Sequence, residues 1–167
     1  RDLLETFEQQ TRVKKLDLKF HTSAPEIEMW IDPKNFDKII LNLLSNACKF
    51  TPENGQVEIS LSTGEDTHLP KNAPLRRYVK LTVADSGIGI ASTEREHIFE
   101  RFYQIRNSQN NSNIGTGIGL HLTRSLVELH YGNIHVEDNG EGKPGSRFII
   151  RLPLGNEHLK KEEIEEA

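Results

Sequence analysis

The sequence predicts an α+β fold, a mixed sheet covered by helices, and three observations carry that reading. Apolar and polar residues alternate at strand period around Leu16, Leu18 and Phe20, around Val57, Ile59 and Leu61, and around Val79, Leu81 and Val83. Between the first two runs lies a segment of helical period, with Phe36, Ile40, Leu43, Ala47 and Phe50 on one line. A second helical pattern is followed by segments 133–138 and 146–153, which read as a hairpin across a glycine-rich turn.

In chain order, residues 1–11 predict a short helix through Leu3, Leu4 and Phe7, and the strand of Leu16, Leu18 and Phe20 follows it. Met29, Trp30 and Ile31 suggest another short strand. The long helix then has firm ends: Asp32 is a good N-cap, Pro33 suits the first turn, and Thr51-Pro52 stops it. Residues 64–76, polar and proline-containing, read as a loop between the next two strands, and residues 93–100 as a short helix with Thr93 and Glu96 at capping-box spacing. Residues 104–113 hold a single apolar side chain, Ile105, and cannot offset the entropy of ordering themselves. A stretch this long inside one domain reads as a lid or binding loop, with a plain linker as the bland alternative. Leu122, Leu126 and Leu129 then mark a helix ended by Gly132, and the chain closes on a charged, solvated tail from Asn156.

At 167 residues the chain fits one domain with a sizeable core. A formal net charge of -4 with interspersed signs argues against nucleic-acid binding, so an anionic ligand must be captured locally. The only cysteine, Cys48, has no partner in the chain, which suits a reducing, cytoplasmic compartment and a core position. No run approaches the roughly 20 apolar residues of a membrane helix, so no membrane contact is expected of this piece. It begins at Arg1 and its sole methionine is Met29, which suggests a piece of something longer.

The long helix carries a second line beside its apolar one. Asn42, Asn46 and Lys49, at i, i+4 and i+7, border the core, where amides cost free energy unless paired. Oxygen-rich anions or their metal ions would pair them, and so would neighbouring loops. The residues alone leave both readings open. Asp85 continues the parity of Val79, Leu81 and Val83, so its carboxylate falls on the core face and needs a donor. Gly87 and Gly89 behind it leave room for a flat ligand, whose exocyclic amine would supply that donor; an ordinary strand-ending turn is the alternative. Gly115-Thr116-Gly117-Ile118-Gly119 runs into the helix of Leu122, gathering backbone amides where a helix N-terminus attracts phosphate. It matches neither the Walker nor the Rossmann glycine pattern, and a glycine-rich hinge is its bland alternative. Arg101, in Phe99-Glu100-Arg101-Phe102-Tyr103, can reach a terminal phosphate or form a surface ion pair.

The order of these parts is more specific than any one of them: amide helix, Asp-x-Gly-x-Gly, Phe-Glu-Arg-Phe-Tyr, polar lid, Gly-x-Gly-x-Gly, helix. In that order the chain resembles the catalytic and ATP-binding domain of sensor histidine kinases, within the superfamily that includes gyrase and Hsp90. Asn42 to Phe50 resembles the N box, Asp85 to Ile90 the first glycine box, Phe99 to Tyr103 the F box and Gly115 to Leu120 the second glycine box.

The resemblance implies a Bergerat fold over residues 1–155, a two-layer sandwich of about five mostly antiparallel strands with about three helices on one face and a mobile ATP lid. Residues 156–167 would be a tail or linker, and Leu154 to Leu159 resembles the linker to a receiver domain in hybrid sensor kinases. It implies that Asn46, assisted by Asn42, holds Mg²⁺ bridging the phosphates of ATP. Lys49 and Arg101 would contact phosphate, while Asp85 accepts from the adenine amino group. Gly87, Gly89, Ile90 and Tyr103 would line the site, and Gly115, Thr116, Gly117, Gly119 and Leu120 would close over the triphosphate.

The hydrolysing relatives carry a glutamate four residues before the N-box asparagine, where this chain has Asn42. An amide cannot take a proton from water, so phosphoryl transfer is favoured over ATP hydrolysis. The acceptor in such kinases is a histidine followed by an acid, on a separate dimerising hairpin. None of His21, His68, His97, His121, His130, His135 and His158 is so followed. The implied partners are therefore that phosphoacceptor domain and a response-regulator receiver domain downstream. A nucleotide-sensing module of the same fold without phosphotransfer is the rival reading.

Overall fold

Asp32 begins the long helix: its Oδ1 accepts from the Lys34 N–H at 2.9 Å, and Pro33 occupies the first turn, where a backbone donor has no intrahelical partner. The computed structural model describes residues 12, 15–23, 27, 31–101, 119–140 and 143–155. Within them β1 (Asp17–Thr22) leads to helix α1 (Pro33–Phe50), then β2 (Gln56–Glu65), β3 (Arg77–Asp85), helix α2 (Gly119–Leu129), β4 (Asn133–Asp138) and β5 (Ser146–Pro153). The helix expected over 1–11 and most of the short strand at 29–31 lie outside the described residues. None of the described helices is long and apolar enough to cross a membrane.

The five strands form one sheet in the order β1-β2-β3-β5-β4, parallel between β1 and β2 and antiparallel elsewhere. The parallel pair follows from α1, which supplies the crossover that such a pair requires. Alternation sets one face inward: Val57 and Ile59 from β2, Leu81 and Val83 from β3, Phe148, Ile150 and Leu152 from β5. Against them α1 buries Ile39, Ile40, Leu43, Leu44 and Ala47, and α2 buries Val127. Two described helices thus cover one face of a mixed sheet. That is the predicted α+β sandwich.

Three local expectations are corrected. Residues 92–99 form successive turns rather than a helix, because bonds such as Glu94 N–H to Ala91 O (2.9 Å) and His97 N–H to Glu94 O (3.0 Å) span three residues. Packing explains the tightening. Ile98 and Phe99 are drawn into the core, and the Phe99 ring meets Phe148 edge-on at 6.2 Å between centroids. Secondly, α2 does not end with Gly132 in the left-handed position. Tyr131 takes it at φ 65°, while Gly132 N–H bonds Val127 O at 2.9 Å and Tyr131 N–H bonds Glu128 O at 3.0 Å, the paired bonds of a Schellman end. Thirdly, β2 continues through Gly64 and Glu65. The loop after it is organised by Arg76, whose Nη1 donates to Thr67 O (3.2 Å) and Leu69 O (2.6 Å) while Nε donates to Glu65 Oε1 (3.0 Å).

The β4–β5 turn meets the end of β3 backbone to backbone. At Gly145, φ is 102°, and a Cβ built there would lie 1.8 Å from Asp85 O. Gly145→Ala therefore combines left-handed strain with an overlap that only a backbone shift relieves, each worth about 1–3 kcal/mol. The urea midpoint should fall by a large part of the total stability, and an unchanged midpoint would mean that the turn moves freely.

Candidate functional site

The polar line of α1 splits into two kinds of group. Asn42, half-buried, donates from Nδ2 to Gly119 O (3.4 Å) and to Thr123 Oγ1 (3.2 Å), and Thr123 Oγ1 itself donates to Gly119 O (2.8 Å). A carbonyl and a hydroxyl whose proton is already committed can only accept, so the nitrogen of Asn42 must face α2. Asn42 thereby ties the start of α2 to the middle of α1. Asn46, one turn later and also half-buried, has no hydrogen-bond partner among the described residues. Lys49 is half-buried in the last turn, where a cation suits the helix C-terminus.

The C-terminal end of α1 abuts the turn after β3. Thr51, fully buried, donates from Oγ1 to Ala47 O at 2.6 Å, and Phe50 O lies where a Cβ on Gly87 would come within 2.4 Å. Only glycine permits that approach. Asp85 itself is 4% exposed on the core face. Its Oδ1 accepts from Gly87 N–H at 2.9 Å and its Oδ2 from Ser146 Oγ at 3.0 Å. Burial pushes the Asp85 carboxyl up from its ordinary value, and these hydrogen bonds only partly offset it.

The turn from Asp85 to Gly89 and the start of α2 are therefore both held against α1. Gly89 continues the turn at φ 76°, and Ile90 and Leu120 pack against the core. Gly119 opens α2, and among the described residues beyond its own helix and chain neighbours no atom lies within 4 Å of where a Cβ would be. Arg101 is exposed just beyond Phe99, whose ring carries the Arg124 guanidinium at 5.9 Å. Tyr103, Gly115, Thr116 and Gly117 lie outside the described residues.

Sequence reading missed Ser146, Thr123, Asn139 and Arg95. Two of them had the signal that found Asp85. Ser146 shares the core-face parity of Phe148, Ile150 and Leu152, and Thr123 lies one turn before Val127. Asn139 donates from Nδ2 to Asp85 O at 2.9 Å, a contact made across 54 residues that no local pattern announces.

Chemically, the arrangement offers a buried carboxylate to an incoming donor such as an exocyclic amine. One turn before the end of α1 that this turn abuts, Asn46 offers an amide oxygen suited to a hard cation, which prefers oxygen ligands. Residues 31–156 match the family described as histidine kinase-, DNA gyrase B- and HSP90-like ATPases. The sensor histidine kinase TmoS of Ectopseudomonas mendocina is 41% identical over 130 residues, a match covering 78% of this chain and 12% of TmoS. Among solved structures, the catalytic domain of histidine kinase ThkA is similar with a TM-score of 0.76 and 28% identity, covering 95% of this chain and 92% of that one. ThkA has also been solved with the response regulator TrrA. Full-length ShkA in complex with AMPPNP is similar with a TM-score of 0.71 and 27% identity, over 92% of this chain and 29% of ShkA.

Proposed function

The chain belongs to the histidine kinase-, DNA gyrase B- and HSP90-like ATPase family, and from that membership we propose that it is the catalytic and ATP-binding domain of a sensor histidine kinase. The observation that carries the proposal is Asp85, a buried carboxylate at a glycine turn that packs on the end of the amide helix. Such a group is costly unless a ligand uses it. The AMPPNP held by ShkA is the kind of ligand that fits.

Asp85 would accept from the adenine amino group, with Gly87, Gly89 and Ile90 beside the ring. The Asn46 oxygen, without a hydrogen-bond partner among the described residues, fits Mg²⁺, a cation that retains several waters and takes few protein ligands. The oxygen of Asn42, which neither of its two bonds to α2 uses, can assist from the preceding turn. Lys49 and Arg101 would steady phosphate, and Tyr103, Gly115, Thr116, Gly117, Gly119 and Leu120 would enclose the nucleotide. Bound magnesium-ATP supplies a γ-phosphoryl group whose transfer depends on positioning and charge stabilisation more than on proton chemistry. What the chain contributes is orientation, and at position 42 the absence of a base. The Asn42 amide, held as a donor toward Gly119 and Thr123, cannot activate water.

The acceptor would be a histidine on a dimerising hairpin of the same protein, and the onward partner a response-regulator receiver domain, as TrrA is for ThkA. Residues 1–155 would form the domain and 156–167 a linker, in the cytoplasm. To test the transfer, the chain is incubated with labelled ATP and the proposed histidine-bearing hairpin of its full-length protein. Acid-labile, base-stable phosphate on the hairpin is the expected result. Tight nucleotide binding without any transfer would make the chain a nucleotide-sensing module instead.

A further inference from the structure

The segment from Asp85 to Ile90 is held at its start by Asn139, just beyond β4, and at its end by Arg95. At its start, Asn139 Nδ2 donates to Asp85 O at 2.9 Å, and the same nitrogen approaches Pro144 O at 3.4 Å within its own turn. At its end, Arg95 donates from Nε to Ile90 O at 3.4 Å while its Nη2 pairs with Asp138 Oδ1. Gly145 then presses its backbone against Asp85 O, so the two turns cannot slide past each other. The carbonyls that open and close the glycine turn are thus both set from outside it.

Resting on the reading of this turn as the adenine site, we propose that Asn139 and Arg95 are positioning residues that set its preference for adenine over guanine. The physical reason is tolerance. Adenine presents an amino donor where guanine presents a carbonyl acceptor, and a carboxylate distinguishes them only if held within about 0.5 Å of the productive position. Asp85 is anchored by its own oxygens to Gly87 and Ser146, but the backbone that carries it is fixed by Asn139. Arg95 fixes the opposite end. Its ion pair with Asp138 is a weak contributor, because the Asp138 side chain is 70% exposed. The bond from Nε to Ile90 O is the one that matters.

The test titrates the whole chain with ATP and with GTP and compares wild type with Asn139→Ala, Arg95→Lys and Asp138→Asn. Loss of one such bond should weaken ATP about 3- to 10-fold in Asn139→Ala. GTP should weaken less, so that the ATP-to-GTP preference narrows. Arg95→Lys, which keeps the charge toward Asp138 but lacks the Nε donor, should narrow the preference in the same direction, while Asp138→Asn leaves it within about 2-fold. Parallel weakening of both nucleotides, or no change in the ratio, would overturn the proposal by reducing these residues to general scaffolding. Failure of the wild-type chain to bind ATP would overturn the adenine site itself, and the two failures are read from different rows of one experiment.

Discussion

Asp85→Asn is expected to weaken ATP binding by about two orders of magnitude while leaving the nucleotide-free chain at least as stable as wild type at neutral pH. The two halves have one cause. Asp85 is 4% exposed, and burial holds its carboxyl above the ordinary carboxylate range despite donors from Gly87 and Ser146. A raised folded pKa means that the folded state prefers the protonated form. Ionising the group at neutral pH therefore costs stability that the unfolded chain does not lose, and the cost disappears as pH falls through the folded and then the unfolded pKa. An amide is neutral throughout, accepts from Gly87 N–H as the acid does, and removes that cost. For the ligand the exchange is unfavourable, because the oxygen proposed to accept from an adenine amino group would be replaced, or turned aside, by a competing donor. A charge-assisted hydrogen bond and the clash that replaces it account for a loss of that order. Thermal melts of both proteins with and without ATP, repeated from neutral pH downward, provide the check. The melting gap between mutant and wild type should close as pH falls. A mutant that melts well below wild type at neutral pH without nucleotide would mean that the carboxylate serves the fold and not the ligand.

The contrast between Asp85 and its neighbours explains how much of this site was legible in the chain. Asp85 was found because a strand has period two, and a charge at core-face parity breaks the pattern. Ser146 breaks it in the same way on β5, but a hydroxyl at a strand end is so common that the break passes unremarked. The long helix was legible to its ends because Asp32, Pro33, Thr51 and Pro52 act through local bonds. Tyr131 was not, since nothing local announces an aromatic residue in the left-handed position. The glycine is spent instead on the next residue, Gly132, where a Cβ would come within 2.4 Å of Arg151 O. Residues 93–100 carried helical signals that core packing of Ile98 and Phe99 overrode. Asn42 is the instructive mixture. Its place on the helix was readable, but its bonds to Gly119 and Thr123 span 77 and 81 residues, and only the fold supplies them. Helical spacing alone put Asn42 and Asn46 on one polar line, and the structure separates their bonding.

That separation yields the second large effect. Asn46→Ala should abolish the increment in nucleotide affinity that magnesium provides and leave the melting temperature of the free chain unchanged or slightly raised. Asn46 lies between the buried Leu43 and Ala47 on α1, is itself half-buried, and has no hydrogen-bond partner among the described residues. Removing it orphans no other group among the described residues. Alanine also favours a helix interior over asparagine by about 0.6 kcal/mol, so the free protein has nothing to lose. For the loaded protein, if Asn46 orients a bound cation as proposed, its loss should lower metal affinity on the order of 10- to 100-fold. Phosphoryl transfer should fall at least as far, because a metal held there would supply charge stabilisation during transfer. Binding measured with magnesium and again with a chelator separates the contributions. In Asn46→Ala the chelator should make little difference and residual binding through Asp85 should persist, whereas Asp85→Asn should bind poorly under both conditions. If the magnesium increment survives in Asn46→Ala, the amide is not a metal ligand. If the free mutant unfolds, Asn46 belonged to the core after all.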